Sequence, residues 1–291
     1  MDDDTITQFK NFTTTQHHDT YAGIQHADHR SHTVLVTGAS SGIGRAIALS
    51  YARAGAPQIA IIARRPLEEV EAQLIATAAE AGHPVPRVLK LVADVTDERS
   101  INNAVSELKR EFGRLDILVN NAGRVETMSS ILEGNPGDWW RTWEVNIKGV
   151  YLTTRAFLPI LLQGGEKTIA NIGSMGAVSP VPGLSGYVST KLGLLRFIDI
   201  LTREYEGQGI LSFTVYPGDV PTEVRGSFPA EMAQYFVDSP ALPGDSITWL
   251  TQKRLDWLSG RFISLRWDLP EMVSRQEEIV KGDKFKVTMR I

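Results

Sequence analysis

Short apolar segments rich in β-branched residues alternate with longer amphipathic segments from residue 33 to about residue 265. This alternation is typical of βαβ units, in which helices join parallel strands and pack on the faces of the sheet. It predicts strands at 33–36, 58–63, 88–92, 115–119, 168–172, 210–215 and 261–265, and helices at 42–54, 67–81, 99–112, 138–162, 186–205 and 247–258. We therefore predict a single α/β domain with a doubly wound parallel sheet of about seven strands, helices on both faces and a ligand at the carboxyl ends of the strands.

Segments outside this alternation predict an N-terminal arm at 1–32 and a C-terminal tail at 267–291, flanking a central domain at 33–266. Five of the six histidines lie in the arm, but their pattern matches no known metal-ligand spacing. We therefore predict no metal site and an arm that packs along the surface of the domain. Because His83 is the one histidine of the central domain, the sequence argues against histidine-based acid–base chemistry.

The composition excludes several classes of protein. A formal net charge of −4 and a pI of about 5.9 leave no basic stripe for nucleic acid or for an anionic membrane surface. The 291 residues include no cysteine, which excludes a disulfide framework, a thiolate nucleophile and a cysteine-ligated metal. Since no signal peptide and no membrane-spanning apolar run is visible, we predict a cytoplasmic protein that binds neither nucleic acid nor membrane.

A glycine cluster at residues 37–44, Thr-Gly-Ala-Ser-Ser-Gly-Ile-Gly, stands between the first predicted strand and the first predicted helix. This context favours the phosphate-binding turn of a Rossmann dinucleotide site, because glycine lets the backbone approach the pyrophosphate and the helix N-terminus offers free N–H groups. An ordinary glycine-rich turn is the alternative. The predicted cofactor contacts in this turn are Gly38, Ser40, Ser41, Gly42, Ile43 and Gly44.

Two arginines, Arg64 and Arg65, follow the second predicted strand. An NAD site usually carries Asp or Glu at this point for the ribose 2′-hydroxyl, whereas guanidinium groups suit a 2′-phosphate through charge-assisted bidentate hydrogen bonds. We therefore predict NADP(H) as the cofactor, with solvated loop cations as the alternative. Asp94 and Val95 follow the third predicted strand and are assigned to the adenine side, although an Asp there is more often a turn or cap residue.

Further polar motifs follow in a fixed order, namely Asn-Asn-Ala-Gly at 120–123, Asn146, Ser174, Tyr187 with Lys191, and Pro-Gly at 217–218. With the glycine cluster, they resemble the short-chain dehydrogenase/reductase family over residues from about 33 to 265. In that family a serine precedes the tyrosine by about a dozen residues, and Ser174 lies thirteen before Tyr187. The arm and the tail resemble features of a fungal branch whose members often serve secondary-metabolite pathways.

The resemblance implies a catalytic tetrad of Asn146, Ser174, Tyr187 and Lys191. Lys191 would also hold the nicotinamide ribose, and Asn146 would anchor a water of the proton relay. The resemblance further implies that residues 120–123 support the centre of the sheet and line the adenosine side. The cofactor contacts assigned in this way are Asn120, Ala122, Gly123, Tyr187, Lys191, Pro217, Gly218 and Thr222, to which we add Val220.

Tyr187 and Lys191 are four residues apart on a predicted helix and so lie on one face of it. An ammonium group beside a phenol favours the phenolate, so we predict that Lys191 lowers the pKa of Tyr187 from its reference value of about 10. Ser174 is predicted to donate to the substrate oxygen as negative charge develops there. Taken singly, each residue of the tetrad has an ordinary structural alternative.

A substrate lid is predicted at about 219–245, after the Pro-Gly pair. Its large apolar residues suit a bulky, partly hydrophobic substrate and the exclusion of water, with packing of the lid onto the domain as the alternative. The predicted substrate contacts are Ser174, Met175, Tyr187, Phe228, Met232, Tyr235 and Phe236.

Three tryptophans, Trp139, Trp140 and Trp143, begin the long predicted helix. By the resemblance, this helix and the one bearing Tyr187 form a subunit interface, which aromatic enrichment suits, while core packing is the alternative. We therefore predict a homodimer or homotetramer.

The sequence thus predicts an NADP(H)-dependent oxidoreductase that transfers hydride between nicotinamide and a carbonyl/alcohol pair, or an imine, of a small molecule, with Tyr187 as general acid/base. Two alternatives stay open, because a fold alone does not fix a reaction. One is a non-redox isomerase or cyclase that uses the cofactor as a scaffold, and the other is a dinucleotide-sensing regulator without turnover.

Overall fold

A computed structural model describes residues 3–288, without the side chains of residues 3, 224 and 225. Its sheet has seven parallel strands in the order β3-β2-β1-β4-β5-β6-β7. The strands are β1 Thr33–Thr37, β2 Gln58–Ala63, β3 Arg87–Val92, β4 Ile117–Asn120, β5 Thr168–Ile172, β6 Leu211–Tyr216 and β7 Phe262–Ser264. The predicted doubly wound α/β fold is confirmed, and each predicted strand lies within two residues of an observed one.

The helices are α1 Asp3–Lys10, α2 Gly42–Arg53, α3 Glu68–Glu80, α4 Glu98–Glu111, α5 Pro136–Trp143, α6 Gly149–Leu161, α7 Ser185–Glu204, α8 Ala241–Thr251, α9 Leu269–Ser274 and α10 Gln276–Lys281. A π-helical segment, Glu144–Lys148, joins α5 to α6, so the single long helix predicted at 138–162 is interrupted in its middle. Short 3₁₀ helices occupy Met175–Ala177, Glu206–Gln208, Glu223–Ser227, Ala230–Tyr235 and Asp256–Leu258.

Side chains of each central strand point alternately to two apolar clusters, one on each face of the sheet. In β1, Val34 and Val36 join the cluster formed with α2, α3 and α8, whereas Leu35 joins the cluster formed with α4, α6 and α7. Successive residues of a strand face opposite sides, and a parallel sheet covered by helices buries both. The apolar, β-branched composition of the strands therefore follows from burial on both faces, and the carboxyl ends are left to carry polar groups.

The helix predicted at 247–258 is wrong at both ends, because α8 begins at Ala241 and ends at Thr251. Pro243 and Gly244 precede the predicted start, but Pro243 lies in the first turn of α8, where no backbone N–H donor is needed. Gly244 permits close packing, since a Cβ there would lie 2.9 Å from the Ala46 carbonyl oxygen of α2. Leu242 is therefore a fully buried core residue of α8, and the lid is shorter than predicted, comprising residues 219–240.

The arm and the tail pack on each other beside β7. Trp267 is fully buried, and its Nε1 donates to the Phe9 carbonyl oxygen at 2.9 Å. The rings of Phe9, Phe12 and Phe285 lie 4.8, 5.1 and 4.9 Å from the Trp267 ring. The arm thus contributes side chains to the same apolar cluster as α2 and α8.

The histidines of the arm form packing contacts. His17 stacks on Tyr21 and lies 3.1 Å from Asp268, and His29 contacts the Thr248 carbonyl oxygen and His32, both at 2.8 Å. Within residues 3–288, no group of three or more His, Cys, Asp or Glu side chains is placed to hold a metal ion. None of the described helices is both long and apolar enough to cross a bilayer, and the cytoplasmic location stays a prediction.

Candidate active site

The glycine cluster forms a tight turn between β1 and α2. Gly38 and Gly42 adopt left-handed backbone conformations, with φ of +66° and +55°, which favour glycine. Gly44 is the most crowded, because a Cβ there would lie 2.3 Å from the Gly38 carbonyl oxygen and 2.4 Å from Asn121 Nδ2. A larger side chain at any of these positions would change the course of the backbone.

The N-terminus of α2 is open to an anion. Ser41 is the N-cap residue, yet no described side chain caps the first turn of α2 with a hydrogen bond, and that turn carries no acidic residue. By contrast, the side chains of Asp97 and Asn135 cap α4 and α5. Free N–H groups at the positive end of a helix dipole bind phosphate. The turn and the open helix end therefore fit the pyrophosphate of a dinucleotide.

Asn121, a member of the segment 120–123 that was not assigned a direct cofactor contact, ties this turn to the end of β4. Its Nδ2 donates to the Thr37 carbonyl oxygen at 2.8 Å, and its backbone N–H donates to Thr37 Oγ1 at 2.9 Å. Asn120 is buried and bonds to Asn171 and Thr154 at 3.0 and 3.1 Å. The Asn-Asn pair therefore holds the centre of the sheet together, which is the structural role that the resemblance implies for residues 120–123. The assigned contacts of Asn120, Ala122 and Gly123 with the cofactor stay predictions.

Arg64 and Arg65 lie at the carboxyl end of β2, as predicted, and both are exposed. Arg64 makes no hydrogen bond or ion pair with any residue that the structure describes, whereas Arg65 pairs with Glu223 of the lid. Asp94 accepts hydrogen bonds from the Thr96 backbone and from Arg141. The turn-and-cap alternative therefore accounts for the bonds of Asp94, and its contact with adenine, like that of Val95, stays a prediction.

Ser174 and Tyr187 meet at the carboxyl end of β5. Ser174 starts the 3₁₀ helix after this strand, and its Oγ accepts a hydrogen bond from Gly176 N–H at 3.1 Å. It also forms a hydrogen bond with the Tyr187 side chain. Tyr187 lies in the first turn of α7, so the strand and the helix bring two residues thirteen positions apart into direct contact.

Lys191 is buried one turn further along α7. Its Nζ donates to the Ile172 carbonyl oxygen at 2.8 Å and lies 5.6 Å from the centroid of the Tyr187 ring. Burial lowers the pKa of Lys191 to about 8, because a low-dielectric environment disfavours the charged form. The ammonium form still predominates at neutral pH.

The predicted lowering of the Tyr187 pKa is wrong for this structure. Burial raises the pKa of Tyr187 above its ordinary value, the hydrogen bond from Ser174 opposes that change, and the charges of Asp219 and Glu126 add to it. The prediction considered the charge of Lys191 but not the loss of hydration or the two carboxylates. Tyr187 is therefore a neutral phenol at neutral pH, ready to donate a proton.

Asn146 lies in the π-helical segment and is buried. Its Oδ1 accepts from Arg124 N–H at 2.8 Å, and its Nδ2 donates to the Arg124 carbonyl oxygen at 2.8 Å and to Thr190 Oγ1 at 3.0 Å. π-Helical turns are frequent at functional sites. Here the turn lets one amide side chain join the loop after β4 to α7, and its role in anchoring a water stays a prediction.

Glu126 is a second residue that the sequence analysis missed. It is buried, and its Oε1 accepts from Tyr187 N–H at 2.9 Å at the start of α7. A carboxylate at this helix end satisfies a free N–H group and complements the helix dipole. Glu126 therefore positions the helical turn that carries Tyr187.

A charged cluster next to Pro217 and Gly218 joins the two ends of the lid. The Asp238 carboxylate accepts from Asp219 N–H and from Arg266 Nε, and Arg266 also bonds to Asp219. A Cβ on Gly218 would lie 2.5 Å from Asp238 Oδ2. The arm joins this cluster through His18, whose Nδ1 lies 2.5 Å from Asp238 Oδ1.

The first part of the lid lies over the glycine turn. A Cβ built on Gly42 would lie 3.0 Å from Thr222 Cγ2, and the contact of Thr222 with the cofactor stays a prediction. Val220 is buried next to the lid base. Further along, Ser227 Oγ donates to the Val125 carbonyl oxygen at 3.3 Å, so the lid spans from the turn to the loop after β4.

The apolar lid residues do not line the cavity of about 600 Å³ in the described part of the chain. Phe228 and Phe236 pack edge-on with centroids 5.2 Å apart, Met232 is half-buried, and Tyr235 is exposed. The cavity is lined instead by the segment 126–139 together with Gly183 and Ser185. The predicted substrate contacts, including Met175, therefore stay predictions.

The open helix end, the glycine turn and the Ser174–Tyr187–Lys191 group all lie at the carboxyl edge of one parallel sheet. This combination defines the class of the protein as a dinucleotide-binding α/β protein.

Comparison with known proteins specifies the family. The short chain dehydrogenase family model matches residues 32–233. A short chain dehydrogenase of Emericella variicolor, andI, is 62% identical over 286 residues, covering 98% of this chain and 99% of the relative. The chain belongs to the short-chain dehydrogenase family of nicotinamide-dependent oxidoreductases, and the resemblance to a fungal branch is confirmed.

Two solved structures share the fold. A 3-ketoacyl-(acyl-carrier-protein) reductase from Brucella melitensis, complexed with NADH, is 25% identical with a TM-score of 0.69, and the match covers 80% of this chain and 96% of the reductase. A short chain dehydrogenase from Shigella flexneri, complexed with NADP, is 23% identical with a TM-score of 0.69, covering 83% and 99%. Both matches show that the chain has the fold of these enzymes.

Proposed function

We propose that this protein is an NADP(H)-dependent reductase of a carbonyl or imine group in a bulky, partly hydrophobic small molecule. The observation that carries the proposal is the contact between Ser174 and Tyr187, with Lys191 one turn away, at the sheet edge that also holds the glycine turn. Neutral Tyr187 is the form that donates a proton, which supports the direction of reduction.

The glycine turn and Arg64 would hold NADPH, which when bound would supply the hydride for the substrate carbon. Ser174 Oγ accepts from Gly176 N–H, and its own proton, which is donated to Tyr187 in this structure, would be donated to the substrate oxygen when substrate binds. Tyr187 gives its phenolic proton to that oxygen as negative charge develops there. Lys191 stabilises the resulting phenolate by its charge, and Asn146 and Glu126 hold the surrounding loop and helix in place.

The cofactor preference rests on the exposed cations after β2. Arg64 is unpaired among the described residues, and a guanidinium binds a 2′-phosphate through charge-assisted hydrogen bonds. NADPH is therefore expected to bind at least about tenfold more tightly than NADH, which is near 1.4 kcal/mol.

Nicotinamide fluorescence titration of the Arg64→Ala variant tests this preference. The substitution is expected to weaken NADPH binding by about tenfold, near 1.4 kcal/mol, and to leave NADH binding unchanged. Arg87→Ala is the matched control, because it removes an exposed arginine at the opposite end of the neighbouring strand β3. Equal binding of both dinucleotides by the native protein would refute the NADP(H) preference.

We also propose that the protein forms a homodimer or homotetramer through α6 and α7. Tyr151, Leu192 and Ile200 on these helices are exposed by 47%, 45% and 45%, and apolar and aromatic side chains are typical of subunit interfaces. Trp140 is also exposed, whereas Trp139 donates from Nε1 to Ser185 within the subunit. Sedimentation at micromolar concentration is expected to show a dimer or tetramer, and a monomer would contradict this arrangement.

A further inference from the structure

The lid is tied to the cofactor edge by an ion pair. Arg65 NH1 donates to Glu223 Oε1 and Arg65 NH2 donates to Glu223 Oε2, both at 2.6 Å. Glu223 begins the first 3₁₀ helix of the lid, and Arg65 is the second residue after β2. The pair is a bidentate carboxylate–guanidinium contact between two segments that are 158 residues apart in the chain.

The position of this pair coincides with the proposed 2′-phosphate site. The carboxylate of Glu223 also forms a hydrogen bond with Ser41, the N-cap residue of α2. Its neighbour Thr222 contacts Gly42. Glu223 therefore places a negative charge between the phosphate-binding turn and the arginines, the region where a 2′-phosphorylated dinucleotide would bring its own negative charge.

We propose that Glu223 is a latch that competes with the 2′-phosphate for Arg65, so that a 2′-phosphorylated dinucleotide releases the lid and an unphosphorylated one does not. This inference rests on the proposed NADP(H) preference. Carboxylate and phosphate bind the same N–H edge of a guanidinium through two parallel hydrogen bonds. Since the two terminal nitrogens of Arg65 are bonded to Glu223, the phosphate gains them only when the carboxylate leaves.

Charge repulsion acts in the same direction as this competition. A 2′-phosphate held by Arg64, whose guanidinium has no partner among the described residues, would stand beside the Glu223 carboxylate, and like charges at short range repel. The coupling between lid opening and binding of the phosphorylated dinucleotide is reciprocal. A variant whose lid opens more easily is therefore expected to bind this dinucleotide more tightly.

Titration of the Glu223→Gln variant with NADPH and NADH tests the latch. The variant keeps the shape of the side chain but removes its charge, so NADPH binding is expected to tighten by about two- to fivefold, the range that exposed ion pairs contribute to an equilibrium constant. NADH binding is expected to stay the same. Glu231→Gln is the matched control, because Glu231 is an exposed carboxylate of the same lid that makes no ion pair with a described residue.

Limited proteolysis of the lid gives a second readout that requires neither turnover nor nicotinamide. With adenosine 2′,5′-bisphosphate as the probe, cleavage within residues 219–240 of the native protein is expected to be about two- to fivefold faster than with adenosine 5′-phosphate, the same range as above. The difference is expected to vanish in Glu223→Gln and to persist in Glu231→Gln.

The outcomes separate the latch from the proposed cofactor preference. If the native protein prefers NADPH but Glu223→Gln behaves like Glu231→Gln in both assays, the latch is refuted and the cofactor preference stands. If the native protein binds both dinucleotides equally and Arg64→Ala has no effect, the cofactor preference fails and the latch fails with it.

Discussion

Replacing Tyr187 with phenylalanine is expected to lower kcat by about 10²–10⁴-fold, the contribution of a positioned general acid, while NADPH binds as in the native protein. The ring and its packing in the first turn of α7 are kept, and one hydroxyl group is lost. That hydroxyl contacts Ser174 and is the group proposed to donate the proton. The measurement is steady-state turnover of a carbonyl substrate, with nicotinamide fluorescence for binding.

Tyr205→Phe is the matched control for Tyr187→Phe. Tyr205 is the C-cap residue of the same helix α7, eighteen residues after Tyr187. Loss of its hydroxyl is expected to leave kcat within about twofold of the native value, since substitutions near the surface and away from the active site have small effects. A Tyr187→Phe variant with native turnover would contradict the acid–base role, and a native protein that binds NADPH but turns over no carbonyl would favour a sensor or a non-redox enzyme.

Replacing Trp267 with alanine is expected to lower the free energy of unfolding by about 3–5 kcal/mol, the cost of truncating a large buried aromatic side chain. The indole fills the space between the arm, the tail and β7, with three aromatic rings within 5.1 Å and a hydrogen bond to the Phe9 carbonyl oxygen. Chemical denaturation followed by circular dichroism measures the change.

Two further variants identify the origin of this loss. Trp267→Phe retains an aromatic ring but loses the N–H donor. Its free energy of unfolding is therefore expected to fall by about 1–2 kcal/mol, the cost of an unsatisfied buried group, which is less than the fall in the alanine variant. Trp140→Ala removes an indole that is 58% exposed, and about 1 kcal/mol or less is expected. A Trp267→Ala variant as stable as Trp140→Ala would show that the arm and the tail add nothing to the core.

The sequence predicted the fold well because the strands are buried on both faces and therefore read as uninterrupted apolar runs. β2 and β5 were predicted at their observed bounds. Asn146, Ser174, Tyr187 and Lys191 were predicted from the family resemblance, whereas the shared helix face of Tyr187 and Lys191 was predicted from their spacing. Local patterns of this kind are set by backbone geometry and need no knowledge of distant contacts.

Other features depended on contacts that a linear pattern does not contain. The start of α8 was missed because Gly244 reads as a breaker, whereas it serves the approach of α8 to α2. The direction of the Tyr187 pKa shift depends on burial and on Asp219 and Glu126, which are distant in sequence. The pair between Arg65 and Glu223 was missed for the same reason, since the sequence shows two charges 158 residues apart and no sign of their contact.

The cluster of Asp219, Asp238 and Arg266 gives the lid two fixed ends. The Asp238 N–H donates to the Asp219 carbonyl oxygen at 3.2 Å, so the segment between them starts and finishes at one place on the sheet. Closure of such a loop depends only weakly on its length. The segment is therefore an exchangeable insert, in which substitutions, insertions and deletions can alter the surface offered to a substrate while the folding of the sheet and the acid–base group beneath it are preserved.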